Sequence, residues 1–219
     1  MTAKGENSFV YTVADNHAGA IYLTWRAGEQ EDEKIGAVLD MTGGHFEGNT
    51  AMGGGAVSVR TAGEATFDGT TFSGNSVLGC TVNENGEPEN DGDGEGGGAV
   101  YVGFGKLTMN NVIMTVNTAS ESFGGAVEAY AATLNVNGGT YTSNEALYSG
   151  ALHIQASSTA TIENATFSEN NVTFDHSSGM NNNYGGGAIL ADGSALTLSG
   201  VTLDGNSSVY YGGALHAIG

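Results

Sequence analysis

The residues with the most distinctive chemistry form one short acidic stretch, Asn90 to Glu95, in which side-chain oxygens alternate with glycines. Alternate carboxylates can converge on a hard cation such as Ca²⁺ while the glycines let the backbone curl around it. The candidate calcium ligands are therefore Asp91, Asp93 and Glu95. An EF-hand loop would place a glutamate at its twelfth position, which is Val102 when counted from Asp91. A solvated acidic loop without metal explains the same pattern, and we favour that interpretation.

Six further residues are candidates for binding a partner. In the strands predicted below, Tyr101, Glu128 and His153 share one outward column and are expected to face solvent. His153 and His216 lie two copies apart in that column, hence about 9–10 Å along the axis, which is too far for shared metal ligation. The remaining candidates lie near the tip of a predicted loop, and they are Asn181, Asn182 and Asn183.

The acids and bases do not assemble into a predicted catalytic site. A polysaccharide lyase needs a cationic base, and the one Lys or Arg on a coil with a regular neighbour is Arg60, whose outward companions are uncharged hydroxyl residues. A glycoside hydrolase needs clustered acids, but Asp40, Asp68 and Asp204 occupy different phases or distant copies of the repeat. We therefore assign no catalytic residue and expect a protein that is not an enzyme.

These candidates must be positioned by a repeat that fills most of the chain. An eleven-residue block, apolar-x-apolar-x-(Gly/Asn)-x-x-(aromatic or large apolar)-x-x-Asn, recurs along the sequence, 26 or 27 residues apart where no insertion intervenes. Apolar alternation around a Gly or Asn predicts two short strands joined by a tight corner. The terminal asparagines are predicted to stack as a structural ladder, and they are Asn49, Asn75, Asn117, Asn144, Asn170 and Asn206. The large residues three positions before them share one phase and are predicted to form an internal stack, and they are Phe46, Phe72, Met114, Tyr141, Phe167 and Leu203.

A second motif, Gly-Gly-Ala-aliphatic or a close variant, alternates with this block and supplies a third strand. Its aliphatic residues, such as Val57 and Val59, are predicted to point inward. Parallel strands stacked about 4.8 Å apart satisfy their backbone groups with the rungs above and below. Because crossovers between parallel strands are as a rule right-handed, the sequence predicts an all-β fold, a right-handed parallel β-helix of about seven three-strand rungs.

The array leaves no room for a separate domain, so residues 1–219 are predicted to form a single β-helix solenoid. Because the last coil stops within an alanine-motif strand without a cap, we expect a segment of a longer surface protein, or a unit whose ends pair with other copies. Three insertions interrupt the period at about residues 26–34, 76–95 and 171–184. The second and third leave the same corner of the coil and could line one face.

Charge and hydropathy limit the partners. Lys and Arg total 5 against 24 Asp and Glu, so the net charge is −19 and nucleic acid is a poor partner. No apolar run approaches the roughly 18–20 residues of a membrane span. Beyond the candidate calcium ion, no cofactor is expected.

The two alternating motifs resemble the repeats of the polymorphic outer-membrane protein family, autotransporter passengers that work as surface adhesins. Strict copies of Gly-Gly-Ala-(Ile/Leu/Val) and of Phe-x-x-Asn begin at Gly54, Gly97, Gly124, Gly186 and Gly212 and at Phe46, Phe72 and Phe167. The resemblance implies a secreted, non-enzymatic adhesin on a bacterial cell surface, which displays binding loops from a rigid β-helix. Its expected partner is a protein or glycan on a host or neighbouring cell.

Two alternative functions stay open at the level of sequence. One is a β-helix that binds or degrades polysaccharides, since many parallel β-helices act on acidic polysaccharides. The other is a structural spacer or fibre unit that associates end to end. Neither alternative changes the predicted fold.

Overall fold

The computed structural model describes residues 1–5, 7–14, 17–28, 34–78, 96–173 and 185–219. Within these ranges every regular secondary-structure element is a β-strand, and all strands except the two of one antiparallel hairpin stack into parallel sheets. Three of the sheets have seven strands each, so the chain forms a parallel β-helix of about seven rungs. The predicted fold class is confirmed.

Each long sheet collects one strand from every rung. Sheet A contains β1 (Thr2–Lys4), β6 (Val38–Thr42), β10 (Glu64–Asp68), β14 (Lys106–Asn110), β18 (Thr133–Asn137), β22 (Thr159–Glu163) and β26 (Ala195–Ser199). Sheet B contains β2 (Ser8–Val10), β7 (His45–Glu47), β11 (Thr71–Ser73), β15 (Ile113–Thr115), β19 (Thr140–Thr142), β23 (Thr166–Ser168) and β27 (Thr202–Asp204). Sheet D, built from the alanine motifs, contains β3 (Ile21–Leu23), β9 (Val57–Val59), β13 (Val100–Gly103), β17 (Val127–Tyr130), β21 (Leu152–Gln155), β25 (Ile189–Asp192) and β28 (Leu215–Ile218).

A short fourth sheet, which the sequence pattern does not predict, lies between sheets B and D. Sheet C contains β8 (Thr50–Ala51), β12 (Ser76–Val77), β16 (Thr118–Ala119), β20 (Glu145–Ala146) and β24 (Asn171–Val172). Each strand follows a ladder asparagine and buries one small apolar side chain, such as Val77 or Ala119. The rung therefore has a fourth, two-residue strand. Regular pairing continues through Leu78 and Thr173, so the insertions predicted at 76–95 and 171–184 begin three residues too early.

The interior is filled by the inward residues of sheets A, B and D. In sheet B the rings of Phe46 and Phe72 stack at 4.6 Å and those of Tyr141 and Phe167 at 4.5 Å, with Met114 between the two pairs in register. Stacked rings at rung spacing bury large apolar surfaces, and the buried hydroxyl of Tyr141 donates to Met109 Sδ at 3.9 Å. The predicted internal stack is confirmed.

The corner between sheets A and B has the left-handed backbone that the sequence predicts. The fifth-position residues have φ between 51° and 72°, and they are Gly43, Gly69, Asn111, Gly138, Asn164 and Gly200. Glycine adopts this region without steric cost and asparagine tolerates it, which explains the restriction to these two residue types.

The first insertion is a β-hairpin rather than an irregular loop. Strands β4 (Trp25–Ala27) and β5 (Lys34–Gly36) pair antiparallel, and residues 29–33 between them lie outside the described ranges. The ammonium of Lys34 lies 5.0 Å from the ring centroid of Trp25. The hairpin leaves the coil between β3 and β6, which is the corner between sheets D and A.

Candidate functional site

The three insertions leave the coil at two corners. The hairpin occupies the corner between sheets D and A, whereas residues 79–95 and 174–184 connect sheet C to sheet D, after β12 and β24. Strands β16 and β20 lie between β12 and β24 in sheet C, so the two connections start about 14 Å apart along the axis. The predicted common corner is confirmed for the strands that flank them.

The asparagine ladder is continuous from Asn49 to Asn206. Each side-chain amide donates to the carboxamide oxygen of the next asparagine, at 2.8–3.0 Å. It also donates to a main-chain carbonyl of the neighbouring rung, as Asn117 does to Phe72 at 3.1 Å. The carboxamide oxygen accepts a second bond from a backbone N–H, as Asn144 does from Asn117. Because these groups are fully used inside the fold, the ladder is structural.

The binding column predicted from Tyr101, Glu128 and His153 is not exposed. These side chains do point away from the apolar interior, but their exposed fractions are 0%, 0% and 1%. The prediction that they face solvent is therefore wrong. The predicted spacing within the column is correct, because Leu190 pairs with both His153 and His216.

A second layer of chain covers the outer face of sheet D. At the first glycine of the motif the backbone runs directly against the next rung, and a Cβ on Gly124 would lie 3.1 Å from the backbone nitrogen of His153. The residue before that glycine adds an aromatic cover, because the ring of Phe123 stacks on His153 with centroids 5.0 Å apart. Tyr211 stacks on His216 in the same way at 5.1 Å. An aromatic residue directly before the Gly-Gly-Ala motif, as at Phe123 and Tyr211, is the sequence feature from which this layer could have been predicted.

Arg60 covers the column on the side of sheet A. Its guanidinium lies 4.4 Å from the ring centroid of Tyr101, which places a cation over an aromatic face. Its Nε also donates to the hydroxyl of Ser58 at 3.1 Å. Arg60 therefore serves the packing of sheet D.

Glu128 and His153 are neighbours in the covered column but do not form an ion pair. Burial lowers the pKa of the His153 imidazole to about 3, so the ring is neutral and its 4.0 Å approach to Glu128 brings no opposite charge. Glu128 instead accepts hydrogen bonds from the backbone N–H of Gly96 and from Gln155 Nε2, both at 2.5 Å. Because Gly96 directly follows residues 79–95, Glu128 fixes the point where that connection rejoins sheet D.

The remaining predicted site residues fall outside the described ranges. The candidate calcium ligands Asp91, Asp93 and Glu95 lie within 79–95, and the candidate binding residues Asn181, Asn182 and Asn183 lie within 174–184. Both hypotheses stay predictions. Among the residues that the structure does describe, no three or more His, Cys, Asp or Glu side chains gather closely enough to hold a metal ion.

The corner between sheets D and A carries a groove that the sequence reading missed. Its volume is about 400 Å³, within the range of roughly 300–1,000 Å³ that is usual for small-molecule sites. Four successive rungs line it, with residues 62–64, 104–106 and 131–133 followed by Ser157 and Thr159. Gly36, at the end of the hairpin, packs against the backbone of Ala62, so the hairpin flanks one end of the groove.

Small residues at the turn make the depression, and one aromatic residue projects from it. Ala62, Ala131 and Ser157 line the groove with the left-handed backbone of this turn, whereas the same position two residues before β14 is Phe104. The Phe104 side chain is 57% exposed, and its ring meets that of Tyr130 edge-on with centroids 5.4 Å apart. An aligned reading of the turn segments would have singled out Phe104 by size.

An exposed polar column follows the turn and forms the other wall. Glu64, Lys106, Thr133 and Thr159 are in register at the first positions of β10, β14, β18 and β22. All four are exposed. Lys106 lies between two regular strands, so the expectation that Arg60 is the one cation on a regular coil is wrong. The groove therefore combines an aromatic face with hydrogen-bonding groups repeated at the rung spacing of about 4.8 Å.

Within the described ranges, no helix has the length and apolar character needed to cross a lipid bilayer.

Comparison with known proteins identifies no relative of this chain. No protein-family model, no curated protein and no solved structure matches the chain.

Proposed function

We propose that this protein is a non-enzymatic adhesin of a bacterial cell surface, in which a rigid β-helix displays binding elements at two corners. The observation that carries the proposal is the confinement of insertions: the hairpin and the connections at 79–95 and 174–184 interrupt an otherwise regular coil at two corners. Insertions on a rigid scaffold are where binding residues accumulate. The resemblance of both motifs to repeats of the polymorphic outer-membrane protein family supports the same function.

The regular part of the rung leaves few groups for recognition or catalysis. The asparagine ladder and the covered column of sheet D use their polar side chains within the fold. The open faces of sheets A and B carry mainly hydroxyl, amide and acidic side chains set by strand alternation, with exceptions such as Lys106, His45 and Ile113. Contacts with a protein or glycan on another cell therefore fall to the insertions and the corners that carry them.

A rung without an insertion provides the template for a shortened variant that tests this proposal. One rung beyond residues 79–95, the same connection between sheets C and D is made with only residues 121–122 in the corresponding place. A variant with 79–95 replaced by Glu-Ser keeps Gly96 and both flanking strands. Beads coated with the full chain are expected to adhere to epithelial or bacterial cells, and beads with the shortened variant to adhere several-fold less.

A matched control replaces an outward residue of a regular rung, Asn135→Ala in β18, and should leave adhesion unchanged. Equal melting temperatures of the three proteins would show that the coil is intact. The proposal is contradicted if wild-type beads adhere to no cell type. It is contradicted as well if the purified protein releases reducing ends or unsaturated products from polysaccharides, since that result would favour the enzyme alternative.

A further inference from the structure

Phe104 has a backbone conformation that its own packing does not justify. Its φ is 53°, in the left-handed region that costs a residue with a Cβ about 1–2 kcal/mol. The turn itself imposes this backbone, because Ala62 and Ala131 share it, so what distinguishes Phe104 is a large aromatic side chain where the neighbouring rungs have a methyl group. More than half of the side chain is in solvent, so burial in the core does not offset the cost. The adjacent rungs solve the same turn with Ala62 and Ala131.

The ring is held in place rather than loosely attached. The Phe104 N–H donates to the Tyr130 carbonyl at 3.0 Å, and the Phe104 carbonyl accepts from the Ala62 N–H at 2.9 Å. The edge-on contact with the Tyr130 ring orients the side chain. A fixed aromatic ring loses little conformational entropy when a ligand stacks on it.

The groups beside the ring define the chemistry of the ligand. Thr133 and Thr159 offer hydroxyls that both donate and accept hydrogen bonds, Lys106 donates and Glu64 accepts. An aromatic face with dispersed donors and acceptors at regular spacing suits a molecule whose own surface alternates C–H faces with hydroxyls. We propose that this groove binds a neutral oligosaccharide, with one sugar ring stacked on Phe104.

The charges of the site and of the whole chain favour a neutral sugar over an acidic one. Lys106 and Glu64 are register partners on adjacent strands, so the one cation among the described lining residues stands beside an anion. The net charge of −19 repels an anionic polymer at distances within the Debye length. A polymer of uronic acids therefore gains no net attraction here.

This inference deepens the proposed adhesin function by naming a ligand class, and its test uses purified sugars so that the two can fail separately. Neutral oligosaccharides of glucose, galactose, mannose or N-acetylglucosamine are titrated into the full chain, with oligogalacturonides in a parallel series. Phe104→Ala is expected to weaken binding of the neutral sugar about tenfold or more, because the stacking surface is lost. Phe104→Trp should retain binding, whereas Phe104→Leu should not.

A second exposed residue with left-handed backbone provides the control. Val116 has φ of 50° and is also mostly exposed, but it lies at the corner between sheets B and C. Val116→Ala should leave sugar binding unchanged. Phe104→Ala should fold as well as wild type, because alanine already occupies this turn position in neighbouring rungs, and a thermal melt checks this directly.

Three results would overturn the proposal: no neutral oligosaccharide binds the wild-type chain, binding survives Phe104→Ala, or only oligogalacturonides bind. The bead assay separates the outcomes for the adhesin function. Sugar binding lost in Phe104→Ala together with full cell adhesion would mean that the groove is a sugar site that adhesion does not use. Absence of cell adhesion with sugar binding intact would contradict the adhesin and leave the sugar site standing.

Discussion

Sheets A and D are built from the same strand pattern, yet their outer faces have opposite fates. In β18 the outward Asn135 is in contact with solvent, whereas in β17, the preceding strand of the chain, the outward Glu128 is completely buried. Alternation sends both side chains away from the core. The described difference is the aromatic residue before the motif, Phe123 or Tyr211, whose ring stacks on a histidine of sheet D. Pointing outward from a β-helix is therefore not the same as facing water.

The largest expected loss of stability should come from the second glycine of the motif, where the chain that leads into sheet D packs against the next rung and against sheet C. The second glycine is present in all seven copies of the motif, and a Cβ on Gly125 would lie 2.0 Å from the Gly150 carbonyl oxygen and 2.6 Å from the Glu145 nitrogen. Gly125→Ala should lower the free energy of unfolding by about 3 kcal/mol, because backbone must move on two rungs. Urea unfolding of the wild-type and Gly125→Ala proteins measures this change in the free energy of unfolding.

The control for this glycine lies at the open corner between sheets A and B. A Cβ on Gly69 meets nothing within 4 Å, and asparagine already occupies the equivalent position at Asn111 and Asn164. Gly69→Asn should change stability by less than about 0.5 kcal/mol. A loss of stability as large as that of Gly125→Ala would refute the difference drawn between the two faces.

The second-largest expected loss of stability distinguishes Glu128 from Asn135, the outward residues of the consecutive strands β17 and β18. Glu128→Ala leaves the Gly96 N–H and the Gln155 amide without their acceptor in a buried site, and should cost about 2–3 kcal/mol. Asn135→Ala, at the equivalent place on the open face, should cost less than about 0.5 kcal/mol. Both values come from chemical denaturation at neutral pH. Similar costs for the two substitutions would mean that the cover over sheet D contributes nothing.

The third effect is a dependence of stability on pH that originates in the covered column. Burial holds the pKa of His153 at about 3, below its ordinary 6.5, so between these values the unfolded chain binds a proton that the folded chain does not. The His153 contribution is constant above pH 6.5 and becomes destabilising as the pH falls, by about 1.4 kcal/mol per unit. Between pH 6.5 and 5 the loss is about 2 kcal/mol.

Leucine supplies the control for this titration, because Leu190 occupies the next position of the same column. His153→Leu should remove the His153 part of the slope while the carboxyl groups continue to titrate. The measurement is the free energy of unfolding of both proteins at pH 7 and pH 5. If the two proteins lose equal stability, the ring is not buried as a neutral group.

Sequence reasoning was most accurate where the structure depends on neighbouring residues and on strict repetition. The ladder asparagines, the left-handed corners at Gly43 or Asn111 and the inward stack of Phe46 and Phe72 were all predicted, since each follows from alternation or from the backbone tolerance of one residue type. It failed for the two-residue strands of sheet C, which are too short to show a period of two.

Sequence reasoning was less accurate for the candidate site, because the residues of that site come from different rungs. Whether His153 is covered depends on Phe123, which precedes another strand, and the groove forms only when the turns of four rungs are stacked. Phe104 is an unremarkable residue in the linear sequence. Its exposure and its strained φ become visible only beside Ala62 and Ala131 in the assembled corner.

The sequence by itself determined the coil: its period, the residues that face inward and the corners, because alternation and left-handed turns are properties of a few consecutive residues. Only the tertiary structure decided which outward faces are open, because exposure depends on where the chain of the next rung lies. For this reason the outer face of sheet D, which was predicted to be a contact surface, is buried. The open groove lies instead at a turn.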